Sequence, residues 1–515
     1  MAGRRLIPTA TTLFFLPAAA FSRAQDFPWN GSFEPGTLEQ LVEGFEAPPT
    51  CAAAIPIAPE PKTPGGVFEP EPTQDIGAFS MTADEVASIR ESLPLPESPT
   101  ARRMLELMRR TYVSQPRSLA PPPANPERLR IVTWNIDLPQ NDLDVDSIIG
   151  VMKGREDSLS KLNSHIRREL SEVSKTDVYM LQDISLHMAI RLAASLGYHL
   201  AWAPEFIEVG ANVRGKDPTR GEHLTGNATL SRHPIEKVWF LRFAHQNGWY
   251  EEERRKLPLI ERSKNGVGRR AFSAIIDEAE VRPPPPYGGR VALIARIRCP
   301  YRGAVSEGST MLLINIHLEN KGESPLRRRQ MGELIPFIQQ SREPVVFGGD
   351  LNTTDSDGRI QSTKRFLKGQ VNTPGKVIFK GFGVGARFVP YAGWAKTGFD
   401  LFRWVKSKED PTSKWNGEHR LFRDVESALG VKPANPRDKI GYKRTWSTWR
   451  PRQVAAGTLD WITLYDPQHG LSVSESRVYE RLIHSSADSA SDRISDHFPL
   501  RIDIPLNPPQ STFRR

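Results

Sequence analysis

Apolar residues arrive in this chain in short blocks, and two spacings recur among them. Blocks of β-branched and aromatic residues bounded by Gly, Pro, Asn, Asp or Ser are strand signals. They lie at Leu129 to Asn135 (LRIVTWN), over DVYMLQDI with Gln182 and Asp183 near its end, and at Tyr198 to Ala203, Asn227 to Ser231 and Lys237 to Phe243. Others follow at Arg270 to Ile276, Arg290 to Arg298, Met311 to Leu318 and Pro344 to Asn352 (PVVFGGDLN), then TLDWITLYD and finally FPLRIDI after RISDH. Helical spacing runs through Leu159, Leu162, Ile166 and Leu170, across Leu186 to Leu196 with Gly197 as a stop, and over Pro325 to Gln340. Short strands with interspersed helices and no regular βαβ cadence predict an α+β fold rather than a doubly wound sheet.

Two stretches break the pattern. From Gln25 to about Pro126 the chain is proline-rich (EAPPT, APEPKTP, EPEPT, LPLPESP, APPPANP), a composition that reads as an extended arm. Thr82 to Tyr112 is the exception, with two short amphipathic helices expected to pack on the main domain's flank. Asp355 to Gly457 is mixed, Trp-rich and basic, and too long for a bare loop. The expected division is an export signal over 1–24, an extension over 25–127, a main domain over 128–505 with an insert at about 355–457, and a disordered tail over 506–515.

Composition narrows the class only a little. The 515 residues carry 69 Lys+Arg against 60 Asp+Glu, a net charge of +9 that favours attraction to polyanions. Cys51 and Cys299 are the only cysteines, which excludes a disulfide scaffold and a cysteine zinc site. The start, MAGRRLIPTATTLFFLPAAAFSRAQDF, has a basic end, an apolar middle and Ser22-Arg23-Ala24 as a cleavage candidate, so it reads as a secretory signal for a secreted or periplasmic protein. Organelle import is the alternative. No later stretch has the apolar length of a membrane helix, so stable membrane insertion is not expected, and no protein partner is inferred.

The chemistry-bearing residues sit at strand ends. Asn135 and Asp137, Asp183, His317, Asp350 and Asn352, Asp460, and Asp496 and His497 each lie at or just past an apolar block. Each alone has a plain structural reading, since Asp and Asn are ordinary turn residues and a strand histidine is usually a core residue. Asp350 and Asn352, two apart, are expected to share a face. Polar groups at several strand ends can converge on one mouth. Asn227 is read as structural, and His187, His223, His233 and His245 as surface or loop residues.

WN followed by an acid, LQD, NIHLE, GDLN, LDWI and SDHFPL, in this order, resemble the motifs of the endonuclease/exonuclease/phosphatase superfamily, with its deoxyribonuclease, abasic-site endonuclease and neutral sphingomyelinase branches. The resemblance spans about Leu129 to Ile504. It implies two mainly antiparallel β-sheets packed face to face with helices outside, and hydrolysis of phosphoesters with Mg²⁺ or Mn²⁺. Asp183 then corresponds to the principal metal carboxylate, with Asn135 beside it, and Asp137 and Asp496 as further metal residues. Most members have Glu where this chain has Asp183. Asp350 corresponds to the group that orients or deprotonates water, and Asn352 to a phosphate hydrogen-bond donor. His497, fixed by Asp460, corresponds to the group at the phosphoryl oxygens, and His317 to the one serving the leaving group.

The substrate is less legible. Trp394, Trp415, Trp446 and Trp449 interleave with Arg444, Arg450 and Arg452, as in a groove for a flexible polyanion. A phosphodiester in nucleic acid is therefore expected. A phospholipid or inositol phosphate substrate is the alternative, and a non-catalytic exported binding protein on the same fold is the reading of another class.

Overall fold

The strand-forming blocks pair into two mixed sheets in the computed structural model, which describes residues 67–91, 99–118, 120, 127–136, 142–153, 164–209, 217, 220–246, 287–299, 309–320, 324–353, 411–412, 416–437, 442–447, 456–468, 470–480, 495 and 497–506. All of these belong to one compact unit, Ile55–Arg515. The expected signal, most of the proline-rich arm, the strand at Arg270 to Ile276, most of the insert and all of the tail but Leu506 lie outside the described residues.

The strands are β1 (Pro72–Thr73), β2 (Thr111–Ser114), β3 (Arg128–Asn135), β4 (Val178–Ser185), β5 (His199–Ile207), β6 (Leu224–Ser231), β7 (Ile235–Arg242), β8 (Tyr287–Gly288), β9 (Val291–Arg298), β10 (Thr310–His317), β11 (Val345–Asp350), β12 (Trp446–Ser447), β13 (Ala456–Gly457), β14 (Asp460–Tyr465), β15 (Glu475–Val478) and β16 (Leu500–Pro505). The helices are α1 (Ala83–Glu91), α2 (Pro99–Leu107), α3 (Asp142–Lys153), α4 (Ser164–Val173), α5 (Leu186–Leu196), α6 (Ser324–Gln340) and α7 (His419–Leu429). One sheet runs β1-β2-β5-β6-β4-β3-β16-β15, with β8 added on β5, and the other runs β14-β11-β10-β9-β7. Only the β1–β2, β3–β4 and β10–β11 pairs are parallel, so the expected α+β sandwich of mainly antiparallel sheets is the fold.

Alternation along β10 shows why the sheets stack. Leu312, Ile314, Ile316 and, just past the strand, Leu318 join one apolar cluster with Met331, Leu334 and Ile338 of α6. Met311 and Leu313 point the other way, into the cluster that holds Met180 and Leu181 of β4. Burying a side chain of this size stabilises by about 1.5–3 kcal/mol, so a one-residue slip would exchange both faces and cost most of that at every position. The inward face continues with Asn315 and then His317. Asn315 donates from Nδ2 to the carbonyls of Leu181 and Ala228, 2.9 Å each, across the sandwich. These carbonyls flank a bulge in β4, where the register shifts between Leu181 and Ile184, so the amide supplies bonds that the ladder loses there.

The proline-rich region contributes to the same core. Residues Phe79, Met104, Leu107 and Met108 pack in the cluster that contains Trp202, β2 pairs with β5, and Phe68 bridges to Phe240 of β7. Thr82 and Glu85 cap α1 reciprocally, Thr82 N–H on Glu85 and Glu85 N–H on the Thr82 hydroxyl. Two helices lie where no sequence expectation placed one, α3 and α7. The latter belongs to the insert and seats Leu421, Phe422, Val425 and Leu429 against α6 and Trp461. His223, expected at the surface or in a loop, lies in the turn just before β6 but is fully buried.

Candidate active site

Topology gathers the polar strand ends at one edge of the sandwich. β3 runs parallel to β4 and β10 parallel to β11, so Asn135, Asp183, His317 and Asp350 leave their sheets at the same end. β14 and β16 are antiparallel to their neighbours, which brings the beginning of each to that edge, with Asp460 opposite Asp350 and His497 just before β16. Two glycines deliver Asp350. A Cβ on Gly348 would stand 2.0 Å from the Trp461 carbonyl and one on Gly349 1.9 Å from the Ile316 carbonyl, and Gly349 has φ +140°. The pair is there because β14 and β10 approach too closely for a side chain.

Asp350 lies between two imidazoles. His497 Nε2 is 3.8 Å and His317 Nε2 3.6 Å from its Oδ2. Each ring is held from behind by a buried carboxylate, His497 Nδ1 by Asp460 Oδ2 at 2.8 Å and His317 Nδ1 by Glu205 Oε2 at 3.0 Å. The site is thus built of two carboxylate–imidazole pairs facing one central carboxylate. Asn135 donates from Nδ2 to Asp350 Oδ2 at 2.9 Å and to Asp183 Oδ2 at 3.3 Å, tying the two sheets together at the mouth. Ser495 fastens the last segment, donating to the Asn135 carbonyl at 2.7 Å and accepting from His497 N–H at 3.0 Å.

Two residues of this edge hold uncommon backbone. Asp183 has φ 50° and Asn352 φ 49°. Asp and Asn tolerate this left-handed region better than other side-chain-bearing residues, and such strain clusters where geometry serves chemistry. Asp183 sits in the β4 bulge, which aims its carboxylate out of the ladder. Asn352 ends a turn in which its N–H binds Asp350 Oδ1 at 2.8 Å, while its Nδ2 donates to the Leu318 carbonyl at 3.0 Å. The turn breaks the strand alternation that would have put the two side chains on a shared face, and the contacts of Asn352 fix Asp350.

Charge is concentrated and mutually compensating. Burial opposes ionisation of Asp183, but His317, Arg290 and the Asn135 amide outweigh it and hold its carboxyl below the ordinary range. Burial and Arg290 push His317 down, while Glu205 and Asp183 push it up and prevail. His317 Nδ1 stands between Glu205 Oε2 at 3.0 Å and Arg290 Nη1 at 2.8 Å: protonated, it donates to the carboxylate, and unprotonated, it accepts from the guanidinium. Arg290 Nη1 lies 3.0 Å from Glu205 and 3.7 Å from Asp183, and these acids, against burial, keep its guanidinium charged. Burial pushes the Asp460 carboxyl up, with His497 pulling the other way.

These donors fit a hard divalent ion. Asp183, Glu205 and His317 bring ligand atoms within 4.8 Å of one another, as do Asp350, Asp460 and His497. Glu205 and Asp460 are fully buried behind the rings, whereas the Asp183 side chain is 25% exposed and open to a hydrated cation. Asp183, with Asp350 and Asn135 beside it, is the group that could hold such an ion.

A sequence model of the Endonuclease/Exonuclease/phosphatase family matches residues 132–497, from β3 to His497. The chain belongs to the endonuclease/exonuclease/phosphatase family. Members of this family are generally phosphoester hydrolases and typically depend on a metal. Among solved structures, the chain is similar to an endonuclease/exonuclease/phosphatase from Beutenbergia cavernae DSM 12333 (14% identity, 74% of this chain and 72% of that one, TM-score 0.35). It is also similar to the human Nocturnin catalytic domain with bound sulfate (14%, 74% and 95%, 0.37) and to D. rerio TDP2 complexed with single strand DNA product (12%, 73% and 98%, 0.33). No curated protein matches the chain.

In this endonuclease/exonuclease/phosphatase member, seven of the nine residues expected from sequence meet at the edge: Asn135, Asp183, His317, Asp350, Asn352, Asp460 and His497. Asp137 and Asp496 lie outside the described residues. Sequence reasoning missed Glu205 and Arg290. Both carried a signal: Glu205 is an acid inside the apolar run LAWAPEFI, and Arg290 directly precedes a strand whose next residues are all apolar. Asn227, read as structural, donates to the Val291 carbonyl at 3.0 Å and approaches Glu205 Oε1 at 3.4 Å.

Proposed function

We propose that this protein is an exported, divalent-metal-dependent phosphodiesterase acting on nucleic acid. The observation that carries the reading is the pair of carboxylate–imidazole units facing Asp350. Phosphodiester hydrolysis needs a base for water, donors for the phosphoryl oxygens and a proton for the leaving group. Asp350, held by Asn135 and the Asn352 N–H, accepts the proton of the attacking water. His497, with Nδ1–H on Asp460, presents Nε2–H to a phosphoryl oxygen, and His317, with Nδ1–H on Glu205, supplies a proton to the departing oxygen. A bound Mg²⁺ or Mn²⁺ on Asp183 supplies neutralisation of phosphoryl charge.

The metal is tested with bis-(4-nitrophenyl) phosphate. EDTA is expected to lower the rate at least about tenfold and added Mg²⁺ or Mn²⁺ to restore it; hydrolysis indifferent to both sinks the metal mechanism. The net charge of +9 supports nucleic acid; of the interleaved Trp and Arg residues, Arg444 and Trp446 are among the described residues, and Trp446 is buried against Leu459 rather than open for stacking on a base. A panel of plasmid, single-stranded DNA, RNA, sphingomyelin and inositol phosphates decides it. Turnover of lipid alone replaces the substrate class, and turnover of none points to a binding protein.

The raised pKa of His317 fixes a pH dependence. Its acid form persists above the ordinary histidine value of 6.5, so the alkaline limb of kcat lies higher than an unperturbed imidazole would place it. Glu205→Gln removes the carboxylate that raises it. The limb is expected to move toward lower pH, and a limb that stays in place removes His317 from the role of proton donor.

A further inference from the structure

Arg242 is a buried cation at the end of β7, on the face that carries Val238 and Phe240 into the space between the sheets. Three of its hydrogen bonds go to main-chain carbonyls. Nη1 donates to Gly289 at 2.8 Å, and Nη2 to Pro204 at 2.9 Å and Met108 at 3.2 Å. Gly289 is the residue before Arg290, and Pro204 the residue before Glu205. One planar guanidinium therefore grips the backbone immediately upstream of both charged groups that surround His317, and it does so across the two sheets. Its third acceptor, Met108, follows α2 in the N-terminal region.

The main chains of the same segments are also tied to each other directly. Gly289 N–H donates to the Glu205 carbonyl at 2.8 Å, and β8 adds to β5 through Gly288 opposite Phe206. Glu205 Oε2 must lie within reach of both His317 Nδ1 and Arg290 Nη1, each 3.0 Å away, and a shift of either main chain would open one of these contacts. A guanidinium has donors in a fixed fork, whereas an ammonium is a point with no planar register.

We propose that Arg242 is a positioning residue for the Glu205–His317–Arg290 half of the site, coupling it to the α2 end of the N-terminal region. This rests on the reading of His317 as the leaving-group acid. Arg242→Lys keeps the charge and loses the fork, and it is expected to lower kcat at least about tenfold with KM little changed, since misplacement of about an ångström is costly in an assembled site.

The test is a double-mutant cycle in the full chain, with bis-(4-nitrophenyl) phosphate and Mg²⁺. If Arg242 acts through Glu205, the loss of kcat from Arg242→Lys vanishes in a Glu205→Gln background and persists in full in an Asp460→Asn background. Equal losses in both backgrounds, or a lowered melting temperature with unchanged kcat, would make Arg242 a structural staple and overturn the proposal. A second readout is independent of turnover. The His317 Nδ1–H proton resonance, assigned by its loss in His317→Gln, is expected to move in Arg242→Lys and to stay in Asp460→Asn; a resonance unmoved by Arg242→Lys and by the larger change Arg242→Met also overturns it. A wild-type protein without turnover but with a shifting resonance would retire the hydrolase reading and leave the positioning role standing.

Discussion

Asp350→Asn is expected to lower kcat on a phosphodiester by about a thousandfold at saturating Mg²⁺. The substitution is nearly isosteric, and its side-chain oxygen can still accept from the Asn352 N–H, so the turn after β11 should survive. What it removes is a negative charge between two imidazoles 3.6 and 3.8 Å away and the site's acceptor for a water proton. The new amide also brings donors toward the Asn135 amide, which now donates to Asp350 Oδ2. Both histidines lose the negative charge they face, so the damage reaches the water, the phosphoryl contact and the leaving group together. The measurement is kcat against melting temperature. A variant that melts like wild type and keeps kcat within about tenfold would remove Asp350 from the chemistry.

How much of this arrangement could be read before folding differs from residue to residue. Asp350, Asp460 and His497 stand at the ends of unmistakable apolar blocks, and local order along the chain was enough to single them out. Glu205 is different: its carboxylate is buried in the middle of an apolar strand, and its partners His317, Arg290 and Asn227 all come from distant parts of the sequence. Arg290 becomes meaningful only when β9 lies beside β10. Asn352 was legible as a turn residue, and its left-handed turn brings its N–H onto Asp350 while its side-chain amide binds the Leu318 carbonyl. The strand blocks fixed most of the sandwich for the same local reason, whereas β1 and β2, each four residues or fewer, have too little sequence to carry a period. α7 has a helical period in its sequence, at Leu421, Phe422, Val425 and Leu429, but it stands in a long, mixed and basic insert whose flanking sequence carries no such period.

The second large effect belongs to the Asp460–His497 pair, and its diagnostic is non-additivity. His497→Gln is expected to lower kcat by about a thousandfold and Asp460→Asn by about a hundredfold, while the double variant should be no slower than His497→Gln alone. Asp460 is fully buried and its Oδ2 is 2.8 Å from His497 Nδ1, so it can reach the substrate only through that ring. Multiplying losses would give Asp460 a separate task and sink this assignment. Stability supplies an independent check. Burial raises the Asp460 carboxyl above its ordinary 3.8, and the imidazole is the leading influence opposing that rise. A folded-state pKa above the unfolded one means that the group's contribution to stability is complete below the unfolded value and is lost as pH rises through the folded one. Without the ring the folded value climbs further, so the stability deficit of His497→Gln relative to wild type should widen as pH rises above 3.8, because the carboxyl must then either ionise in a dry site or hold its proton against the solvent. Asp460→Asn added to His497→Gln removes the ionisable group, so the double variant should lose the fall in stability with rising pH that His497→Gln shows.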